Sequence, residues 1–371
     1  MPLKQSPLHE EHLRLSARMQ DFAGFEMPIS YDAQTGGTIK EHLQVRSGVG
    51  IFDVSHMGQL FVEGAVATEF LSYACTRDFH QAKDGRATYC LLLNENAGVI
   101  DDIIVYRRSK DRYLLIVNAA NIQKDFEHLK RLALDFKVEV RNESEAWALI
   151  AVQGPQATKA LEASLNSLNL KHPPLDDLKY YSFVETENFW IARTGYTGEE
   201  GFEWMLKPEA APHAWGALIR EAAMPIGLAA RDTLRMEVGF PLYGQELSET
   251  ENASESLSQF AIRNPSEFFG KSKLRLPPGR QFFGFLAENS KPMRALENLW
   301  LGEKRVGQLT SGSYSPCLGK GMGLGWLDLN QIEKPAQEGA VFMLESRGKR
   351  REAKAINLPF LETARVKRKP N

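Results

Sequence analysis

The chain has 371 residues, of which 43% are hydrophobic and 25% charged, and its formal net charge is −2. This composition is typical of a globular protein that is long enough for two or three domains with a real core. The small net charge gives no global attraction to nucleic acid or to an anionic membrane, and no apolar run approaches the roughly 20 residues that span a bilayer.

The three cysteines, Cys75, Cys90 and Cys317, are far apart in the sequence and form no Cys-x-x-Cys pair. This pattern argues against a disulfide framework or a zinc site and suits a reducing compartment. The first residues have neither the apolar core of a signal peptide nor the Arg-rich character of a transit segment. We therefore expect a cytoplasmic protein without a metal, and a solvated tail at the basic run 365–369.

The first predicted element is a short amphipathic helix within residues 8–20, where apolar residues recur at near-helical spacing. It carries His9 and His12 with no third ligand nearby, so we expect a solvated helix face there and no metal pair. Between residues 87 and 120, apolar and β-branched runs alternate with polar turns and predict an antiparallel meander. Residues 122–134 return to helical spacing.

The second half of the chain predicts further strands, two helices and then a small β-domain. The strands lie around 190–193 and 202–206, and the helices at 208–223 and 228–238. After a plausible linker at 277–279, glycines punctuate short apolar runs, which is typical of a small β-barrel or sandwich.

The predicted fold class is α+β, with several domains. We expect an N-terminal region of antiparallel sheets and helices over residues 1–276. It contains two subdomains, of which the second covers approximately 52–145. The C-terminal β-barrel domain covers 277–371.

The pair Asp101-Asp102 lies between Val99-Ile100 and Ile103-Ile104-Val105 in a predicted strand. Because alternate residues of a strand face opposite sides, Asp102 shares a face with Tyr106 and Asp101 lies on the other side. An unpaired buried carboxylate is costly, so a protein partner or a ligand is expected to compensate it. The alternative, one carboxylate facing water and the other capping the preceding turn, stays open on local grounds.

Two later segments combine glycines or small residues with charged side chains. Gly195, Gly198 and Gly201 predict a flexible loop between two strands, whose backbone can closely approach another group. Glu203 follows at the start of an apolar strand. A tight hairpin with an exposed acid is the simpler interpretation of that segment.

The second of these segments places Arg231 on the predicted helix 228–238. Arg231 follows small residues, which suits a guanidinium that grips a pair of acceptors in a pocket. The alternative is that this helix face is exposed and carries an ion pair between Asp232 and Arg235, which is the commoner arrangement on helices.

Taken together, these segments resemble the aminomethyltransferase (T-protein) family of the glycine cleavage system, in order and over nearly the whole chain. The most characteristic blocks are Phe52-Asp53-Val54-Ser55-His56-Met57 and Gly195-Tyr196-Thr197-Gly198-Glu199. Further blocks are Val152-Gln153-Gly154-Pro155, the stretches 98–106, 117–121 and 227–237, and Leu242-Tyr243-Gly244-Gln245.

The resemblance implies a folate-binding N-terminal region and transfer of a methylene group. The aminomethyl group arrives on the lipoyl arm of H-protein, and tetrahydrofolate, the acceptor substrate, becomes 5,10-methylenetetrahydrofolate as ammonia is released. The implied partners are lipoylated H-protein and the small-molecule folate, with no nucleic acid, membrane or metal.

The resemblance also assigns site residues. Asp102 matches the catalytic carboxylate, where a fixed anion stabilises the positive charge that develops as ammonia leaves. Glu203 and Arg231 match the polar anchors for the folate. The remaining matched positions line the same pocket with apolar, aromatic and amide groups: Met57, Tyr89, Asn118 and Tyr196.

Residues 248–260 depart from the family pattern, which usually has an Asp-Glu pair, an Asn-Pro and a Gly-Leu-x-Trp segment here. This departure bears on binding of the folate tail or docking of H-protein. It keeps an alternative open, a folate-binding paralogue without transferase activity that serves a regulatory or iron–sulfur-related role.

Overall fold

A computed structural model describes residues 2–31, 37–332, 336–346 and 348–363, so the basic run at 365–369 lies outside the described residues. The chain divides into two compact units, neither of them continuous in sequence. Unit 1 consists of Met1–Leu92, Ile100–Arg231 and Arg263–Phe269. Unit 2 consists of Leu93–Val99, Asp232–Ile262 and Gly270–Asn371.

The α-helices of the described residues are mostly short. They are α1 (His9–Arg14), α2 (Gly37–Ser47), α3 (Ala67–Ala74), α4 (Ile122–Ala133), α5 (Ala157–Ser167), α6 (Ala211–Arg220) and α7 (Leu228–Glu237). Within the described ranges, no helix has both the length and the apolar character needed to cross a membrane.

The strands up to residue 225 form three sheets. They are β1 (Lys4–Gln5), β2 (Arg18–Phe22), β3 (Phe25–Ser30), β4 (Gly50–Asp53), β5 (Gly58–Glu63), β6 (Arg86–Leu93), β7 (Val99–Ser109), β8 (Arg112–Val117), β9 (Glu139–Asn142), β10 (Ala148–Gln153), β11 (Phe183–Glu185), β12 (Phe189–Ala192), β13 (Gly201–Leu206) and β14 (Met224–Pro225). Their orders are β1-β3-β2, β6-β7-β8-β5-β9 and β11-β12-β13-β10-β4-β14.

Each of the two larger sheets of unit 1 has a core of its own. Helices α5 and α6 cover the six-stranded sheet, and the buried Trp204 and Trp215 are the largest side chains of that core. Helices α3 and α4 supply the core of the five-stranded sheet. The predicted meander 87–120 corresponds to β6, β7 and β8, and the predicted helix 122–134 to α4.

Unit 2 contains a closed barrel in the order β15-β18-β17-β16-β19-β20. Its strands are β15 (Arg280–Ala287), β16 (Asn298–Leu301), β17 (Lys304–Ser315), β18 (Lys320–Asp328), β19 (Val341–Ser346) and β20 (Lys349–Ile356). Glycine is required on β18, since a Cβ at Gly321 would lie 2.1 Å from the carbonyl oxygen of Lys291. The predicted class, mixed helices and sheets followed by a β-barrel, is confirmed. The predicted domain boundaries remain predictions.

The divergent segment 248–260 belongs to unit 2, and its residues 252–256 are buried. Asn252 organises it: its amide donates to the carbonyl oxygen of Lys273 (3.0 Å), and its oxygen accepts from the hydroxyl of Ser254 (2.7 Å). Asn252 also pairs with Gly98 in an isolated antiparallel bridge. Local hydrogen bonds of Asn252 therefore hold the stretch that departs from the family pattern.

The prediction that His9 and His12 form a solvated helix face is wrong. His12 is fully buried and His9 is 7% exposed. The Nε2 atom of His12 lies 2.8 Å from Oδ2 of Asp53, and its Nδ1 lies 2.9 Å from the hydroxyl of Tyr31. The local pattern misled because α1 is only six residues long, and residues distant in sequence supply these partners.

Candidate active site

Two aspartates lie side by side on β7 but face opposite sides, as the alternation predicts. Asp101 is completely buried, whereas Asp102 is partly exposed. Burial of Asp101 has a structural explanation, because the backbone N–H of Asn118 donates to its Oδ2 (2.9 Å) and the side-chain amide of Asn118 to its Oδ1 (2.9 Å). Asn121, just before α4, donates to the same Oδ1.

The carboxyl of Asp102 is held from both sides by neutral donors. The hydroxyl of Tyr89, on the neighbouring strand β6, donates to Oδ2 at 3.0 Å. The amide Nδ2 of Asn118, directly after β8, donates to Oδ1 at 3.0 Å. The structure thus brings together three of the predicted site residues, Tyr89, Asp102 and Asn118, where β6, β7 and β8 lie side by side in the five-stranded sheet.

The environment of Asp102 raises its pKa to about 7. Desolvation by burial is the largest cause and the neighbouring charge of Asp101 is the second, while the hydrogen bonds from Tyr89 and Asn118 oppose them. A carboxyl poised near neutrality is a mark of functional sites, since a paired structural carboxylate titrates at much lower pH.

A second cluster brings together Tyr196, Glu203 and Arg231. The guanidinium carbon of Arg231 lies 4.7 Å from the ring centroid of Tyr196. Burial lowers the pKa of Arg231, and Tyr196 and Glu203 act in the opposite direction. A guanidinium that lies over an aromatic ring can still donate from its N–H edges to acceptors such as a carboxylate or a ring carbonyl.

Glu203 is partly buried on β13, so it is not the exposed hairpin acid of the simpler interpretation. The hydroxyl of Thr194 donates to its Oε2, and the hydroxyls of Tyr106 and Thr194 lie 3.4 Å apart. Tyr106 is on β7, on the same face as Asp102 and four residues away, or about 13 Å along the strand. Strand β7 therefore links the two clusters. It carries Asp102 in the first, and its Tyr106 lies beside Thr194 in the second.

The glycine-rich loop positions Tyr196 around a buried glutamine. A Cβ at Gly195 or Gly201 would approach the side-chain amide of Gln153 to 2.0 and 2.5 Å respectively. Gln153 donates to the carbonyl oxygen of Thr194 (3.1 Å) and accepts from the hydroxyl of Thr197 (2.9 Å). The sequence analysis predicted that some group lies close to the backbone of the 195–201 loop. In the structure, the side chain of Gln153 lies there.

Arg231 owes its position to another glycine. The backbone N–H of Gly227 donates to Oε2 of the buried Glu41 at 2.8 Å. A Cβ at Gly227 would lie 2.3 Å from the carbonyl oxygen of Ile29, so only glycine lets the start of α7 approach β3 this closely. Arg231 follows one turn later.

Met57 lies half-buried in the turn after β4. Its neighbour His56 is 2% exposed, with its ring 5.2 Å from that of Phe22. Burial and the charge of Arg231 lower the pKa of His56 to about 4, so the ring is neutral at pH 7.

The sequence reasoning did not identify Asn121, Asp125 or Thr194 as part of the site. Asn121 and Asp125 are four residues apart at the start of the predicted helix 122–134, a spacing that puts both on one face. That spacing could have indicated that the two side chains act together. Thr194 had none, because its contact with Glu203 depends on the pairing of β12 with β13.

Comparisons with known proteins match almost the whole chain. A family model described as the GCVT N-terminal domain matches residues 8–264, and one described as the glycine cleavage T-protein C-terminal barrel domain matches residues 280–362. An aminomethyltransferase of Thermus thermophilus is 42% identical over 362 residues, which cover 97% of this chain and 99% of that relative.

Two further similarities agree with these. An aminomethyltransferase of Thermotoga maritima is 39% identical over 96% of this chain and 98% of its own. The crystal structure of glycine cleavage system aminomethyltransferase T from Bartonella henselae is similar with a TM-score of 0.88 and 34% identity. That match covers 97% of this chain and 98% of the crystallised one.

Proposed function

This chain belongs to the glycine cleavage T-protein family and is an aminomethyltransferase, and we propose that its donor is the aminomethyl-lipoyl arm of H-protein and its acceptor tetrahydrofolate. The products are then ammonia, the dithiol arm and 5,10-methylenetetrahydrofolate. The alternative of a paralogue without transferase activity is not favoured, because the aminomethyltransferases of similar sequence match nearly the full length of the chain.

The observation that carries the proposal is the state of Asp102. It is a partly exposed carboxyl whose two donors, Tyr89 and Asn118, are both neutral, and no cation among the described residues forms an ion pair with it. Positive charge develops on the transferred carbon as ammonia leaves. A fixed carboxylate beside it stabilises the transition state more than the ground state, which is the condition for a rate gain.

We assign the second cluster to the folate. Arg231, whose guanidinium lies over the ring of Tyr196, suits the acceptor edge of a pterin or a carboxylate. Glu203 suits adjacent N–H groups: the hydroxyls of Thr194 and Tyr106 hydrogen-bond to its carboxylate, whose two oxygens can accept further hydrogen bonds from a ligand. Met57 adds an apolar contact, and Tyr89 and Asn118 line the pocket while orienting Asp102.

The pKa of Asp102 sets the expected pH dependence. With a value of about 7, the carboxyl is increasingly protonated, and unable to stabilise a cation, as the pH falls below neutrality. We therefore expect kcat to decline on the acid side of about pH 7. The substrates are soluble, and we place the reaction in the cytoplasm, with no role for a membrane or nucleic acid.

The direct test is tetrahydrofolate-dependent ammonia release from aminomethylated H-protein, with Asp102→Asn beside the native protein. Loss of one transition-state charge contact lowers kcat by about 10²–10³-fold. Asp135→Asn, which removes an exposed carboxyl of the same unit, is the matched control and should keep native activity. Native protein that binds tetrahydrofolate but releases no ammonia would refute the transferase assignment, and full activity of Asp102→Asn would refute the role of Asp102.

A further inference from the structure

A third aspartate completes a buried acidic cluster behind Asp102. Asp125, in the first turn of α4, is completely buried and contacts the carboxyl of Asp101. Among the described residues, no N–H group or hydroxyl donates to either of its carboxylate oxygens. Two ionised carboxylates in contact away from water repel each other strongly, so the pair must hold a proton between them.

The donors around the pair decide where that proton resides. Asp101 accepts N–H groups from Asn118 (2.9 Å to each of its oxygens) and a further one from Asn121. Burial raises the pKa of Asp101, but these donors and the contact with Asp125 act in the opposite direction and favour its ionised form. Asp125 has no such donors among the described residues. Burial and the charge of Asp101 accordingly raise the pKa of Asp125 to about 11.

Asn118 transmits this arrangement to Asp102. Its side-chain amide has two hydrogens, and Nδ2 lies 2.9 Å from Oδ1 of Asp101 and 3.0 Å from Oδ1 of Asp102. The amide is oriented only while both acceptors are present, because a protonated Asp101 would offer a donor where Asn118 needs an acceptor. The orientation of Asp102 thus depends on the ionisation of Asp101.

We propose that Asp125 is a positioning residue for the transfer reaction: its neutral carboxyl donates a hydrogen bond to Asp101, keeps Asp101 ionised, and thereby fixes Asn118 and Asp102. The inference rests on the proposed function in one respect only, that Asp102 acts on the substrate. The presence and place of the proton depend on the buried cluster alone.

Other titratable groups face this cluster. Lys124, on α4, acts on Asp125 and favours its ionised form, but more weakly than burial and Asp101 oppose it. Cys90 on β6 is buried beside Asp102, and burial raises the pKa of its thiol, so it is neutral. The charge that reaches Asp102 is therefore mainly that of Asp101.

The proton itself is observable by infrared spectroscopy at pH 9. At this pH the carboxyl of Asp102 is ionised, while that of Asp125 still carries its proton. The difference spectrum of native protein minus Asp125→Asn should contain a protonated-carboxyl C=O band. Asp135 is an exposed carboxyl just after α4, so the spectrum of native protein minus Asp135→Asn should not contain this band. A native-minus-Asp125→Asn spectrum without that band overturns the assignment, whether or not the protein is active.

The positioning role is tested by kinetics across pH. Asp125→Asn keeps an N–H donor that needs no proton, so kcat should stay within about threefold of native and its acid limb should not move. Asp125→Ala removes the donor and should lower kcat about tenfold, with little change in KM for tetrahydrofolate. Its acid limb should also shift to lower pH, because a more often neutral Asp101 repels the Asp102 charge less.

The alternatives give different results. A purely packing role for Asp125 predicts that Asp125→Ala loses kcat with an unmoved acid limb, or that Asp125→Asn is as poor as Asp125→Ala, and either result refutes the inference. If native protein releases no ammonia, the proposed function fails, while the infrared experiment still decides the proton. If Asp125→Ala does not fold, Asp125→Asn and the spectrum carry the test.

Discussion

Unit 1 and unit 2 both bury carboxylates, but they compensate the charge differently. In unit 2, Glu246 is fully buried and its Oε2 accepts from the guanidinium of Arg235 at 2.8 Å. The hydroxyls of Thr310 and Ser311 each donate to its other oxygen at 2.6 Å. Every acceptor of this carboxylate is used, and a cation of the same unit balances its charge.

In unit 1, Asp102 has hydrogen bonds but no such balance. Tyr89 and Asn118 orient the carboxyl without neutralising it, and the adjacent Asp101 makes the ionised form still less favourable. The difference separates two uses of a desolvated acid. A charge paired within the protein stabilises one packing arrangement, whereas a charge left uncompensated costs stability and remains available to a cationic reaction centre.

The largest expected effect comes from breaking the unit 2 pair. Glu246→Ala leaves the guanidinium of Arg235 buried without its main counter-charge, and we expect a loss of about 3–5 kcal/mol in the free energy of unfolding. Urea denaturation measures it. Asp232→Asn is the control, because it removes the 44%-exposed partner of the same arginine and should cost about 0–1 kcal/mol. Equal losses in the two variants would show that burial does not distinguish them.

The next prediction is a gain in stability rather than a loss. The folded-state pKa of Asp102, about 7, is above its ordinary value of 3.8, so the folded protein holds a proton that the unfolded chain releases. Stability therefore falls as pH rises from about 4 to about 7 and then levels off. Asp102→Asn removes this penalty, since the Tyr89 hydroxyl can rotate to accept from the new amide.

We expect Asp102→Asn to unfold about 2 °C or more above the native protein at pH 8, with the difference vanishing near pH 4. Thermal unfolding of the substrate-free protein at the two pH values measures it, and Asp135→Asn corrects for removal of a charge as such. A variant less stable than native at pH 8 would mean that Asp102 is compensated after all, as Glu246 is.

The smallest effect sharpens the role of the neutral donors. Tyr89→Phe removes a hydrogen bond that favours the ionised form of Asp102, so the pKa of Asp102 should rise further. One such bond corresponds to about 1 kcal/mol, and the acid limb of kcat should move up by up to about one pH unit. A pH profile of ammonia release measures it. An unmoved limb would show that Tyr89 contacts Asp102 without stabilising its charge.

Much of the architecture was accessible from local sequence patterns. Alternation placed Asp101 and Asp102 on opposite faces of β7, and helical spacing located α4, because both depend on residues only a few positions apart. Family blocks then singled out Asp102 among otherwise equal readings of the same strand. The position of Arg231 on a helix that follows small residues was predictable in the same way.

What remained hidden depends on segments that meet only in the folded chain. The burial of His12 requires Asp53 and Tyr31, and the glycines of the 195–201 loop require Gln153. Neither contact leaves a periodic signal, because sheet register and strand order bring these residues together.

The sequence by itself determined the family, the α+β class with a terminal barrel, and a carboxylate at position 102 in a strand that ordinarily avoids one. Only the tertiary structure decided its chemical state. The fold placed Asp125 of α4 against Asp101 of β7, and the pairing of β7 with β8 placed Asn118, directly after β8, between Asp101 and Asp102. A pKa is set by desolvation and by charges a few ångströms away in space, and their sum exists only once the chain is packed.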